Sequence, residues 1–117
     1  YAPIKSDRDL MDLYTNALFL IYPSLYEGFG FPIIEAFGYG CPVLTGNTSS
    51  MKEIGGDLAD YFNPYSIESM TTAIQLQLKN NDQILKNYSA RIQYSQQFTW
   101  DRTIKNTLNV YKELEKH

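Results

Sequence analysis

One cysteine, one histidine and one tryptophan stand in a chain of 117 residues, and each scarcity closes a line of chemistry. A lone Cys41 excludes an internal disulfide. One cysteine followed by Pro42, with His117 as the single histidine, cannot build a zinc site. Cys41 therefore reads as a small buried residue, His117 as a terminal residue without a role, and a reducing, cytoplasmic setting fits best. Basic runs are missing as well. Ten lysines and arginines against thirteen acidic residues leave a formal charge of -3, which gives no footprint for nucleic acid or an anionic membrane surface. The most apolar stretch, Ala17 to Tyr22, falls far short of the roughly 20 residues that cross a bilayer. No charged-then-apolar leader precedes it. The chain opens at Tyr1 without an initiator methionine, which reads as a processed or truncated piece whose neighbours are missing.

What is present is the composition of a globular protein, 44% hydrophobic and 20% charged, in a length that allows one core and no more. The spacing Ser6-Asp7-Arg8-Asp9 predicts a capped helix from Asp7 to about Asn16, with Leu10, Leu13, Tyr14 and Ala17 on one side. Asp7 and Asp9 also have the spacing of a metal-binding carboxylate pair. At a helix start, rather than at the end of a buried strand, capping is the better account. Leu18 to Tyr22 is a continuous apolar run and predicts a central parallel strand buried on both faces. Gly28 and Gly30 make a turn, Pro32 suits a first helical turn, and Gly38 and Gly40 are stop signals.

Pro42 to Thr45 predicts a second buried strand, followed by a polar loop from Gly46 to Ser49, a brief helix from Ser50 to Glu53, and a stop at Gly55-Gly56. Leu58 to Phe62 supplies a third strand. Helices are expected from Ser66 to Lys79, Asp82 to about Gln97, and Asp101 to Glu115, the last with Ile104, Leu108, Tyr111 and Leu114 at helical spacing. Strands alternating with helices imply an α/β, Rossmann-like, doubly wound parallel sheet, here partial with about three strands, and a helical C-terminal segment. Such sheets bind ligands beyond the carboxyl ends of their strands. The loops after Tyr22 and after Thr45 should therefore lie side by side at a site.

Glu27 and Glu35 flank the glycine turn with seven residues between them, the first expected in the loop and the second in the first turn of the helix. Glycine lets a ligand approach the backbone, and amides at a helix start receive phosphate oxygens. Carboxylates on either flank accept hydrogen bonds from hydroxyls. Phosphate with hydroxyls on both sides describes a nucleoside diphosphate sugar. Glu35 alone has a bland explanation, the dipole preference of a helix start; paired with Glu27 across Gly28-Phe29-Gly30 it has a weaker one. The rings of Phe29 and Phe31 are equally well explained as core packing.

Pro23-Ser24-Leu25-Tyr26-Glu27-Gly28-Phe29-Gly30-Phe31-Pro32-Ile33-Ile34-Glu35-Ala36 resembles the signature of the group one, family-four retaining glycosyltransferases of the GT-B fold. The likeness extends through Gly40 to Val43, Asn47 to Glu53, Gly56 to Ala59, and Phe98-Thr99-Trp100-Asp101. It implies that residues 1 to 117 are part of the C-terminal, nucleotide-sugar-binding domain. Glu27 would take the catalytic position and hold hydroxyls of the donor sugar, and the amides of Gly28, Phe29, Gly30 and Phe31 would meet sugar and diphosphate. Glu35 would grip the ribose. Asn47, Thr48, Ser49 and Ser50 would line the cleft, with Glu53 in support. The resemblance also implies transfer with retention of configuration, a nucleotide-sugar donor, no cofactor and no obligatory metal.

In that family an arginine and a lysine from an earlier segment neutralise the departing diphosphate, and a separate N-terminal domain holds the acceptor. Lys5 and Arg8 do not occupy the matching segment, so the isolated piece is expected to be inactive and to self-associate through its uncovered apolar surface. The expected partners are the nucleotide sugar and the missing N-terminal acceptor domain, with no nucleic acid; any contact with the inner face of the membrane would come through the parent. Two alternatives stay open: a non-catalytic binding module of the same fold, and a glycogen synthase-like or epimerase-like sugar-nucleotide enzyme. Asn47-Thr48-Ser49 and Asn87-Tyr88-Ser89 match the N-glycosylation pattern, but nothing marks the chain as secreted.

Overall fold

A computed structural model describes residues 3 to 80 and 82 to 116, apart from the side chains of residues 83 and 84. His117 lies outside the described residues. Helix α1 spans Asp7–Asn16. Ser6 stands before it in extended backbone, and its Oγ accepts from the Asp9 amide at 3.2 Å while the Asp9 carboxylate accepts from the Lys5 amide at 2.9 Å. That reciprocal arrangement satisfies amides that a helix start leaves open. Asp7-Arg8-Asp9 is thus a cap.

The order continues as β1 (Leu20–Tyr22), α2 (Phe31–Gly38), β2 (Val43–Gly46), α3 (Met51–Gly55), a 3₁₀ turn at Gly56–Leu58, β3 (Ala59–Phe62), α4 (Ile67–Lys79), α5 (Asp82–Lys86), α6 (Tyr88–Ser95) and α7 (Trp100–Leu114). The strands form a parallel sheet in the order β1-β2-β3, with Tyr22 opposite Thr45 and Gly46 opposite Phe62. Parallel pairing through helical crossovers brings the carboxyl ends of all three strands to one edge. The α/β reading of the sequence holds.

One strand is misplaced by the sequence reading. β2, buried at every position, is the central strand. β1 is an edge strand within the described residues, with Ile21 41% exposed and Leu18 54% exposed. An unbroken apolar run signals a strand that suits burial, but it does not report how many neighbours flank it. The core lies between the sheet and α2 and α3, where Ile33, Ala36, Phe37, Val43, Met51 and Ile54 pack together.

Helix α2 ends in a Schellman motif. The Gly40 amide donates to the Phe37 carbonyl and the Cys41 amide to the Ala36 carbonyl, both at 2.9 Å, with Gly40 in the left-handed region at φ 71°. Glycine is required there twice over. A side chain would be strained by the backbone, and a Cβ would meet the Tyr88 ring at 2.2 Å. The carbonyl of Gly40 accepts from Nε of the buried Arg91 at 2.8 Å. Burial holds that guanidinium below its ordinary value, partly offset by the thiol of Cys41 and by Asp60.

The helix expected from Asp82 to Gln97 is two helices. Asn87 leaves helical geometry at ψ 13°, and asparagine starts helices more readily than it continues them. The break lets α6 lie against α2, with Tyr94 edge-on to Phe37 at 6.0 Å. The brief helix predicted over 50–53 begins one residue later and takes in Gly55, so the stop falls at Gly56. Helix α7 is capped by Thr99, whose Oγ1 accepts from the Arg102 amide at 3.2 Å. Its stripe of Ile104, Leu108, Tyr111 and Leu114 is 51–65% exposed, so among the described residues nothing covers it. No described helix is long and apolar enough to cross a membrane.

Candidate functional site at the carboxyl edge of the sheet

Tyr22 ends β1, and its carbonyl accepts from the fully buried Thr45 hydroxyl at 2.9 Å. That bond ties the ends of β1 and β2 together and fixes where the glycine turn departs. The loop after β2 then holds the turn from the side. Thr48 Oγ1 donates to the Leu25 carbonyl at 2.9 Å, Ser49 Oγ to the Glu27 carbonyl at 2.7 Å, and Ser50 Oγ to the carbonyls of Glu27 and Phe29 at 3.0 and 2.8 Å. The two loops lie side by side, as the topology predicts. The hydroxyl protons of Thr48 and Ser49 are committed to backbone, so these side chains shape the turn. Asn47 sits at the end of β2, where its amide donates to the Phe62 carbonyl at 2.9 Å and its side chain is exposed.

The turn itself is bare. Gly30 caps α2 in the left-handed region at φ 99°. A Cβ placed on Gly28 would meet nothing within 4 Å, so the fold does not require glycine there. Among the described residues no acceptor meets the amides of Gly28, Phe29, Gly30 or Phe31. The first amides of a helix have no intrahelical partner, and four open donors in succession there form an anion-receptive surface. The next amide is absent, because residue 32 is proline, and the Ile33 amide donates to the Gly30 carbonyl at 3.0 Å.

The carboxylates on either side are anchored from behind. Glu27 Oε1 accepts from the Tyr22 hydroxyl at 2.5 Å and from Ser24 Oγ at 2.7 Å, and these donors hold its carboxyl below the ordinary value. Glu35 Oε2 accepts from the Tyr14 hydroxyl at 3.2 Å. Burial and the adjacent carboxylate push the Tyr22 phenol up to about 12; Tyr14 is raised too, by burial first and by Glu35 second. Tyr22 also feels the charge of Glu35, and Tyr14 feels Tyr22, so the four groups form one electrostatic cluster. Glu35 lies in the second turn of α2, since the helix begins at Phe31. The sequence reading set it one turn earlier, in the first turn of the helix.

A cavity of about 530 Å³ opens on the other flank of the turn. Phe29, Phe31, Phe98, Trp100 and Arg102 line it, and neither glutamate does. Concavity and chemistry thus point to adjacent places. We assign the site by the chemistry, because the unmet amides and the paired carboxylates are both on the turn. The Phe29 ring packs on Phe31 at 4.7 Å and on Phe98 at 5.8 Å, so it braces the turn, whereas Phe31 is 66% exposed. Glu53 is exposed on α3.

Tyr14, Tyr22 and Arg91 escaped the sequence reading. Tyr22 carried a signal, since it is the last residue of a parallel strand at the ligand-facing edge. Arg91 lies three residues from both Tyr88 and Tyr94, and so on the inward side of its helix.

A family model described as "Glycosyl transferases group 1" matches residues 2–98. The chain is 38% identical over 113 residues to O-antigen chain mannosyltransferase B of Escherichia coli, which covers 96% of this chain and 29% of that protein. It is 36% identical over 95 residues to O-antigen chain mannosyltransferase RfbU of Salmonella typhimurium, covering 76% and 26% respectively. Among solved structures, sucrose-phosphate synthase from Thermosynechococcus elongatus superposes with a TM-score of 0.75 at 22% identity, over 95% of this chain and 29% of that one. The chain therefore spans less than a third of the length of these relatives. The matched span includes the glycine turn, both anchored glutamates and the loop that braces them, and by that match the chain belongs to the group 1 glycosyltransferases.

Proposed function

We propose that this chain is the nucleotide-sugar-binding part of a retaining glycosyltransferase that moves a hexose to a glycan or glycolipid acceptor held by another domain of the full-length protein. The unmet amides of Gly28 to Phe31 between two anchored carboxylates are the observation that carries this reading. The amides receive the diphosphate and the sugar, Glu27 accepts from sugar hydroxyls at the reacting end, and Glu35 accepts from the ribose. Asn47 lines the cleft, while Thr48 and Ser49 set the height of the turn. The two relatives of highest identity reported above are named mannosyltransferases, which favours mannose as the sugar. The reaction needs no obligatory metal in this reading; cationic side chains elsewhere in the protein stabilise the leaving diphosphate, in a cytoplasmic setting.

Calorimetric titration of nucleoside diphosphate hexoses into the full-length protein tests it. Glu27→Ala and Glu35→Ala should each weaken binding at least tenfold, the loss of about 1.4 kcal/mol expected when a charged acceptor of a ligand hydroxyl is removed. Unchanged binding in both variants would sink the assignment of these residues.

A further inference from the structure

Each carboxylate of the turn is held at one oxygen and open at the other. At Glu27 the Tyr22 and Ser24 hydroxyls converge on Oε1, and no described residue meets Oε2. At Glu35 the Tyr14 hydroxyl takes Oε2 and no described residue meets Oε1. Both phenols belong to rigid surroundings. Tyr22 is locked at the end of β1 by the Thr45 bond to its carbonyl, and Tyr14, only 8% exposed, stacks on Tyr39 with ring centres 6.0 Å apart and planes 13° from parallel.

We propose that Tyr22 and Tyr14 are positioning residues, which pin one oxygen of Glu27 and of Glu35 respectively so that the other is presented to a hydroxyl of the ligand. The proposal rests on the donor-site reading above. A glutamate side chain free to rotate must be ordered on binding, and a phenol that orders it beforehand removes that cost. The chemistry also selects the partner. An ionised carboxylate that accepts a hydrogen bond from a phenol has only acceptor capacity left, so its open oxygen welcomes a hydroxyl and repels a phosphate oxygen. The diphosphate is thereby confined to the amides and the hydroxyls of sugar and ribose to the flanks. Both tyrosines stay protonated at neutral pH, because burial and the neighbouring carboxylates raise them.

The test uses the full-length protein with Tyr22→Phe and Tyr14→Phe, which keep the rings and so the packing, and with Glu27→Gln and Glu35→Gln. GDP-mannose and UDP-glucose serve as probes in titrations from pH 4 to 8. Tyr22→Phe should weaken the tighter probe by about tenfold, as expected for one hydrogen bond to a charged group, and should move the acid limb of binding to higher pH. In the Glu27→Gln background Tyr22→Phe should add nothing, and Tyr14→Phe should likewise add nothing to Glu35→Gln. A ¹³C titration of the Glu27 carboxyl without any probe should show its midpoint rise in Tyr22→Phe. The positioning role is wrong if Tyr22→Phe leaves both the carboxyl midpoint and the probe affinity unchanged while Glu27→Gln weakens binding. Should the midpoint move but Glu27→Gln bind both probes like wild type, the donor-site reading is what fails, and the positioning role for the ligand falls with it.

Discussion

Replacing Gly40 by alanine should destabilise the protein. Its φ of 71° places it in the left-handed region, where a Cβ costs about 1–2 kcal/mol. The new methyl would stand 2.2, 2.3 and 2.9 Å from three atoms of the Tyr88 ring, so the ring must move and its contacts with α2 loosen, an overpacking cost of about 1–3 kcal/mol. Together about 2–5 kcal/mol is expected, a large share of the roughly 5–15 kcal/mol that holds a domain folded. Urea unfolding followed by far-ultraviolet circular dichroism reads the loss; Trp100, 82% exposed, is a poor reporter of the core. In a Tyr88→Ala background the same substitution should cost only the backbone strain, about 1–2 kcal/mol. A Gly40→Ala protein within about 0.5 kcal/mol of wild type would refute the Schellman geometry and the Tyr88 contact alike.

Alkaline unfolding gives a second check. Tyr22 and Tyr61 are pushed up to about 12, so their neutral forms are favoured in the fold; that stability is fully present below pH 10 and is lost as pH rises through 12. Glu27 is lowered, so its contribution is present above its ordinary value of 4.5 and is lost as pH falls. Tyr22→Phe should therefore shrink both limbs of a stability-against-pH curve, and an unchanged acid limb would contradict the Tyr22–Glu27 bond. Produced as these 117 residues alone, the chain should self-associate through the exposed stripe of α7 and the free edge of β1. Ile104→Glu with Leu108→Glu should reduce the mass seen in light scattering, and a strictly monomeric parent chain at high concentration would overturn the expectation.

Local signals were read well from the sequence because they are encoded within a few residues. Ser6 and Asp9 set the start of α1, and Gly40 ends α2 by a backbone conformation that glycine alone takes cheaply. The glycine turn with flanking glutamates was legible for the same reason. What failed depended on partners distant in sequence. Whether β1 is central or at an edge depends on neighbours that an apolar run cannot count. The burial of Arg91 depends on the carbonyl of Gly40, 51 residues away. Thr48 and Ser49 were read as lining the cleft, and the bonds from their hydroxyls to the turn, made with residues more than twenty positions away, were not legible. The tyrosines behind the glutamates stayed hidden among ten of their kind, since only the fold selects which phenols meet a carboxylate.

Gly28 offers the most direct test of the central claim, that a bare peptide turn between two anchored carboxylates receives an activated sugar. Nothing stands within 4 Å of a Cβ at that position, so Gly28→Ala should unfold within about 0.5 kcal/mol of wild type. Binding of nucleoside diphosphate hexoses to the same variant, measured by calorimetry in the full-length protein, should fall at least about tenfold as the methyl displaces the ligand from the amides. Unchanged affinity in an equally stable variant would show that no ligand approaches this turn, and the account would be wrong.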